Sequence, residues 1–225
     1  MNTELADAPK SLLVAIDGPA GSGKSSVSRE VADRLNFGIL DTGAAYRALA
    51  WKALHEDVDL DDSVAVEELL DDWSFSISLR GAQVVIVGGE DVTDEIRDPG
   101  VSKQVSSVSK HAAVRERLNL MFLEIATESG LPGVIIEGRD ITTVVAPHAP
   151  VRILMTASAE VRAKRRAGEL PGSTYLQVLE AIAERDAKDQ LVVDFMNPAP
   201  GVTLIDTSEL DFEAVVEAVI NEIKA

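Results

Sequence analysis

The sequence predicts an α/β protein in which a parallel sheet is covered by helices on both faces and an antiparallel element is inserted. Three observations carry that expectation. Short apolar runs alternate along the chain with stretches of helical periodicity, the order that builds parallel crossovers. The first run breaks at once into a glycine-rich turn followed by a helix. Residues 75–97, "FSISLRGAQVVIVGGEDVTDEIR", have strand periodicity on both sides of Arg80-Gly81 with no helix between, which reads as a hairpin and does not belong in a parallel sheet.

The elements follow in order. Residues 12–16 form a buried strand bounded by Asp17-Gly18. From Lys24 the period changes: Val27, Val31 and Leu35 recur every four residues, with Glu30 and Arg34 paired on another side. "GIL" before Asp41-Thr42-Gly43 is a second strand, and a helix runs from Ala44 to about His55. Further strands fall at 133–137, 151–156 and 202–205, separated by helical segments. In the last helix Phe212, Val215, Val216, Val219, Ile220 and Ile223 make one apolar stripe, read as core packing. The organisation expected is a tail at 1–11, a core at 12–61 and 111–225, and an inserted subdomain at 62–110. No repeat or low-complexity tract interrupts it.

Composition narrows the function. A chain of 225 residues can bury a sizeable core, and 46% hydrophobic with 26% charged residues describes a folded soluble protein rather than a disordered one. The absence of cysteine excludes disulfides, thiolate zinc sites and thiol nucleophiles. An acidic, polar beginning, "MNTELADAPK", and no stretch of membrane-spanning length lead to the expectation of a cytoplasmic protein that engages no membrane. A net charge of -17 repels nucleic acid, so a polyphosphate ligand needs its own local cations.

Gly18 to Ser25, "GPAGSGKS", match GxxxxGK[ST] with an apolar strand before and an amphipathic helix after, the context that the pattern requires. Glycines let consecutive backbone N–H groups turn inward around phosphate oxygens, and the helix presents its positive end to the same anion. The fold class is therefore a P-loop NTPase-type three-layer α/β/α. Gly18, Pro19, Ala20, Gly21, Ser22, Gly23, Lys24, Ser25 and Ser26 are the expected ATP-binding stretch, with Lys24 on the outer phosphates and the Ser25 hydroxyl on Mg2+. The motif leaves the fate of the phosphate open. A signalling GTPase needs NKxD and an ABC-type ATPase needs a signature such as LSGGQ, neither of which is present. A small-molecule kinase needs a second anion site. Arg47 in "DTGAAYR" and Arg139 in "EGRD" follow strand ends and fall on the edge shared with the loop, where two guanidiniums can hold an acceptor phosphate.

Taken together, "IDGPAGSGKSS", "DTGAAYR", "GEDVTDEIR", "VSSVSKHAAVRE", "EGRDITTVV" and "AEVRAKRR" resemble the bacterial cytidylate kinases, in matching order over roughly residues 12–189. Adenylate and shikimate kinases share the loop but not the second and third of these segments. The resemblance implies phosphorylation of CMP and dCMP by ATP with Mg2+, by a monomer whose hairpin region is the nucleoside monophosphate-binding insert. It implies that Thr42 and Arg47 belong to the acceptor site, with Arg139 on the phosphate side. Ser106, Arg115 and Asp140 correspond to positions around the cytosine edge, and Arg185 and Asp189 to a pair near the acceptor sugar. Arg165 matches a lid arginine that swings onto the triphosphate, in a basic clamp of Arg162, Lys164, Arg165 and Arg166 within a lid at about 164–176. Two features depart from the family: "AGELPGST" makes a short lid, and "QLVVDFMNPA" after Asp189 lacks an arginine expected on the acceptor phosphate.

Catalysis on this reading is positioning and charge neutralisation by Lys24, Arg47, Arg139 and Arg165, with magnesium bridging the donor's outer phosphates and no general base. His55, His111 and His148 have no ligand spacing and are read as incidental. Asp57, Asp59, Asp61 and Glu68 imitate a calcium loop, but Asp62 stands where that loop turns on glycine, so these acids are expected at a helix N-terminus. The alternatives are a kinase of UMP or another small acceptor, and a nucleotide-gated regulatory ATPase with no acceptor.

Overall fold

A computed structural model describes residues 11–169, 174–190, 194 and 196–225. Strand β1 (Leu12–Asp17) leads through the glycine loop into α1 (Lys24–Leu35), and β2 (Gly38–Asp41) into α2 (Thr42–His55). After α3 (Ser63–Glu68) come three short strands, β3 (Phe75–Ile77), β4 (Val85–Val87) and β5 (Glu90–Asp91). Helices α4 (Pro99–Ser109) and α5 (Ala112–Thr127) return the chain to β6 (Gly133–Gly138), a π-helical turn (Ile141–Val145) and β7 (Val151–Thr156). Helices α6 (Ala159–Glu169) and α7 (Tyr175–Gln190), strand β8 (Thr203–Asp206) and α8 (Phe212–Lys224) complete it.

The main sheet runs β2-β6-β1-β7-β8, all parallel. Alternation along its central strands divides the core, because successive side chains leave a strand on opposite faces. Val14, Ile16 and Ile135 pack with Val27 and Val31 of α1 and Val216, Val219 and Ile220 of α8. Ala15, Val134 and Ile136 face the other way, onto Leu49 of α2 and Leu118 and Phe122 of α5. Buried on both faces, these strands read as continuous apolar runs, which is how they were visible in sequence. Phe212 departs from its stripe: at the first position of α8 it is half-exposed, while Val215, Val216, Val219 and Ile220 behind it are buried.

The second sheet, β3-β4-β5, is antiparallel and packs Val85 and Val87 against Ala44 and Ala48 of α2. Both alanines are fully buried, and a larger side chain at either would push the small sheet away from the helix. Asp62 caps α3 by accepting from Val64 N and Ala65 N, so that acidic stretch serves a helix N-terminus. His55 stacks on Trp51 and His111 Nε2 meets Leu60 O at 2.8 Å, both packing roles.

Candidate active site

The carboxyl ends of β1, β2 and β6 lie side by side, because Ile16 and Asp41 both pair in register with Glu137. The glycine loop leaves β1 there. A side chain at Gly18, φ +153°, would place Cβ 2.1 Å from Met155 O, so only glycine lets the loop pass over β7. The buried Asp17 carboxylate accepts from Ile141 N (2.7 Å), Thr142 N (2.8 Å) and Thr142 Oγ1 (2.6 Å), which fastens the turn after "EGRD" to the foot of the loop. Burial pushes its carboxyl upward, and the three donors pull against that. Arg139, in the same turn, donates to Gly18 O.

At the start of α1, Ser25 Oγ donates to Glu137 Oε2 at 2.9 Å. Burial and the neighbouring Asp41 charge raise the Glu137 carboxyl, while Lys24, the Ser25 hydroxyl and Arg47 act in the opposite sense. Two hard oxygen donors beside a phosphate loop suit Mg2+, which takes one or two protein oxygens and completes its shell with phosphate and water. Ser25 was legible in the motif and Glu137 was not singled out. An acid at the penultimate position of the strand next to β1 is the signal that could have found it.

A cavity of about 580 Å3 opens from this edge. Ala20, Gly21, Lys24 and Ser25 form its donor wall, with Arg166 of α6 beside them. Asp41, Thr42, Gly43, Tyr46 and Arg47 form a second wall, where Arg47 Nη2 meets Asp41 Oδ2 at 2.9 Å and Thr42 Oγ1 donates to Glu137 O at 2.8 Å. Burial opposes ionisation of Asp41, but the charges of Arg47 and Lys24 and the bonds from Arg47 and Ala44 hold its carboxyl below the usual range. Further polar groups line it. Arg115 Nη2 pairs with Asp140 Oδ2 at 2.7 Å, next to Ser106 of α4. Burial, with the nearby Asp140 charge, pushes the Tyr46 hydroxyl far up, so it stays protonated; its ring stands edge-on to Phe122.

Most of the residues singled out in sequence therefore meet in one cavity: Ala20, Gly21, Lys24, Ser25, Thr42, Arg47, Ser106, Arg115, Arg139 and Asp140. Gly18, Pro19, Ser22, Gly23 and Ser26 shape or flank the loop without lining that cavity. Arg165, expected to swing onto the triphosphate, lies against the back of the loop: its guanidinium meets Thr207 Oγ1 (2.9 Å), Thr207 O (2.8 Å) and Ser22 O (3.3 Å), while Arg166 lines the cavity. Arg162 is no part of a mobile clamp, being buried and paired with Asp186 at 2.6 Å. Residues 170–173 of the expected lid, the side chains of Arg185 and Asp189, and positions 191–193 and 195 in the stretch with the missing arginine lie outside the described residues.

The chain is similar to known proteins along most of its length. The family model described as Cytidylate kinase matches residues 14–225. A cytidylate kinase of Cutibacterium acnes is 42% identical over 218 residues, covering 93% of this chain and 95% of its own. One from Rhodococcus jostii is 45% identical over 212 residues, covering 91% of each. Among solved structures, an uncharacterized protein from Eubacterium ventriosum shares the fold at 14% identity and a TM-score of 0.53, over 95% of this chain and 99% of its own.

Proposed function

The chain belongs to the cytidylate kinase family, and from that premise we infer that it transfers the γ-phosphate of ATP to CMP or dCMP, giving ADP and the nucleoside diphosphate. The observation that carries the reading is one cavity lined both by the phosphate loop and by a paired arginine and carboxylate, Arg115 and Asp140. That lining offers groups for a phosphate donor and for a polar base, and Arg47 and Arg139 line the same cavity.

In this mechanism the backbone of residues 18–25 and Lys24 hold the triphosphate. Arg47 and Arg139 orient the acceptor phosphate, whose oxygen is already ionised and attacks the γ-phosphorus as the bond to the ADP oxygen breaks. No side chain needs to remove a proton. Asp140 accepts from the cytosine 4-amino group while Arg115 donates to N3 or O2, a pattern that uracil reverses at positions 3 and 4. Ser25 and Glu137 would hold Mg2+, which when bound neutralises charge on the phosphates. Residues 62–110 act as the acceptor-binding insert, since Val105, Ser106, Ser109 and Lys110 line the cavity. The compartment that this reading implies is the cytoplasm.

The test is ADP formation with Mg-ATP alone and then with CMP, dCMP, UMP or AMP. Turnover only with CMP or dCMP is expected. Acceptor-independent hydrolysis would replace the kinase with a regulatory ATPase, and preference for UMP or AMP would reassign the base site.

A further inference from the structure

We propose that Asp41 is a positioning residue for the acceptor side: it holds the Arg47 guanidinium in the orientation that receives the acceptor phosphate. The inference rests on reading Arg47 as an acceptor-phosphate arginine.

Asp41 ends β2 opposite Glu137, and both of its carboxylate oxygens are committed. Oδ1 accepts from Ala44 N at 3.1 Å, capping α2, and Oδ2 accepts from Arg47 Nη2 at 2.9 Å. The helix end therefore fixes the carboxylate, and the carboxylate fixes the arginine. A Cβ at Gly43 would stand 3.0 Å from Asp41 Oδ1 and 3.2 Å from Arg47 Nη1, so the pair meets across the bare backbone of that glycine. Arg47 Nε is buried and finds no hydrogen-bond partner among the described residues. With Nε unbonded, the orientation of the guanidinium depends on its grip on Asp41. An arginine reads a phosphate through a planar fork, and a fork already set in direction loses less freedom when the anion arrives. Asp41 also lines the cavity, where its charge opposes a phosphate, but Lys24 and Arg47 offset it there. The motif "DTGAAYR" thus reads as one device: Asp41 caps and grips, Thr42 ties the strand end to Glu137 O, Gly43 leaves the space, and Arg47 reaches the cavity.

Asp41→Asn isolates the grip, because asparagine caps helices as well as aspartate but lacks the charge. Its KM for CMP should rise about tenfold, the order expected for loss of a charge-assisted bond, with the KM for ATP unchanged; the thermal midpoint should fall, because the folded carboxyl is held below its usual range. On an Arg47→Ala background the same substitution should add nothing. Gly43→Ala, which crowds both partners without altering charge, should raise the KM for CMP in the same selective way. The proposal is overturned if Asp41→Asn leaves the KM for CMP within about twofold, raises both KM values alike, or acts equally with Arg47 absent. If Arg47→Ala itself spares CMP binding, the acceptor reading of Arg47 is wrong and the proposal goes with it.

Discussion

Replacing Arg162 by Met should be among the most damaging single changes outside the cavity. Its side chain is 5% exposed and that of Asp186 is 10% exposed, with 2.6 Å between them. Arg162 also donates to Ala157 O (3.1 Å) and to Ala20 O in the phosphate loop (3.1 Å). Methionine fills much of the volume but removes the cation paired with buried Asp186, whose Oδ1 already lacks a hydrogen-bond partner among the described residues. Breaking such a pair from one side costs about 3–5 kcal/mol. For a chain of this size each kcal/mol moves the transition by about 2–4 °C, so a fall of roughly 6–20 °C is expected. Arg34 supplies the contrast. It reaches three carboxylates, Glu30, Glu213 and Glu217, yet the whole group faces solvent and salt screens it. Thermal and urea unfolding of the ligand-free protein should therefore separate Arg162→Met, strongly destabilised, from Arg34→Ala, indistinguishable from wild type. Removing both charges with Arg162→Met and Asp186→Leu should restore much of the loss. Equal effects of Arg162→Met and Arg34→Ala would refute the reasoning that burial, and not the number of contacts, decides. Should Arg162→Met not fold, Asp186→Asn reports on the same pair.

Gly18→Ala should abolish ATP binding or folding outright, because its Cβ would overlap Met155 O in a backbone conformation that alanine avoids; a variant with normal KM for ATP would disprove the loop geometry. Glu137→Gln should raise the Mg2+ concentration needed for activity, by about 10–100-fold if Glu137 holds the ion through Ser25 or water. The same change should stabilise the ligand-free protein at neutral pH. The folded carboxyl is raised above its unfolded 4.5, so its favourable contribution is complete below that value and is lost as pH rises through the folded one. The gain over wild type should therefore be absent at about pH 4 and grow as pH rises through the folded carboxyl's range; a Gln variant that loses stability relative to wild type as pH rises contradicts this. Asp140→Asn should lower the preference for CMP over UMP by about tenfold, read from kcat/KM for each, whereas an unchanged ratio would remove Asp140 from base recognition.

The sequence by itself determined the strands of the main sheet, the helices between them, the loop at residues 18–25 and the antiparallel insert. Each is written locally, in a period of two or 3.6 residues or in glycines at fixed offsets, and local sterics enforce it whatever the chain does elsewhere. The cations of "VRAKRR" show where that ends. Arg162, Arg165 and Arg166 lie on one short helix and look alike in sequence, but the first is buried on Asp186, the second lies against Thr207 behind the loop, and the third lines the cavity. Their differences come from what packs around α6, which no periodicity records. The same holds for the acids. Asp41 and Glu137 are far apart in the chain and become neighbours through the register of β2 on β6; Asp17 grips Thr142 because β1 and β6 end together. Only the tertiary structure decided which charges face one another, because charge–charge energies depend on distances between strands that the chain joins through long crossovers.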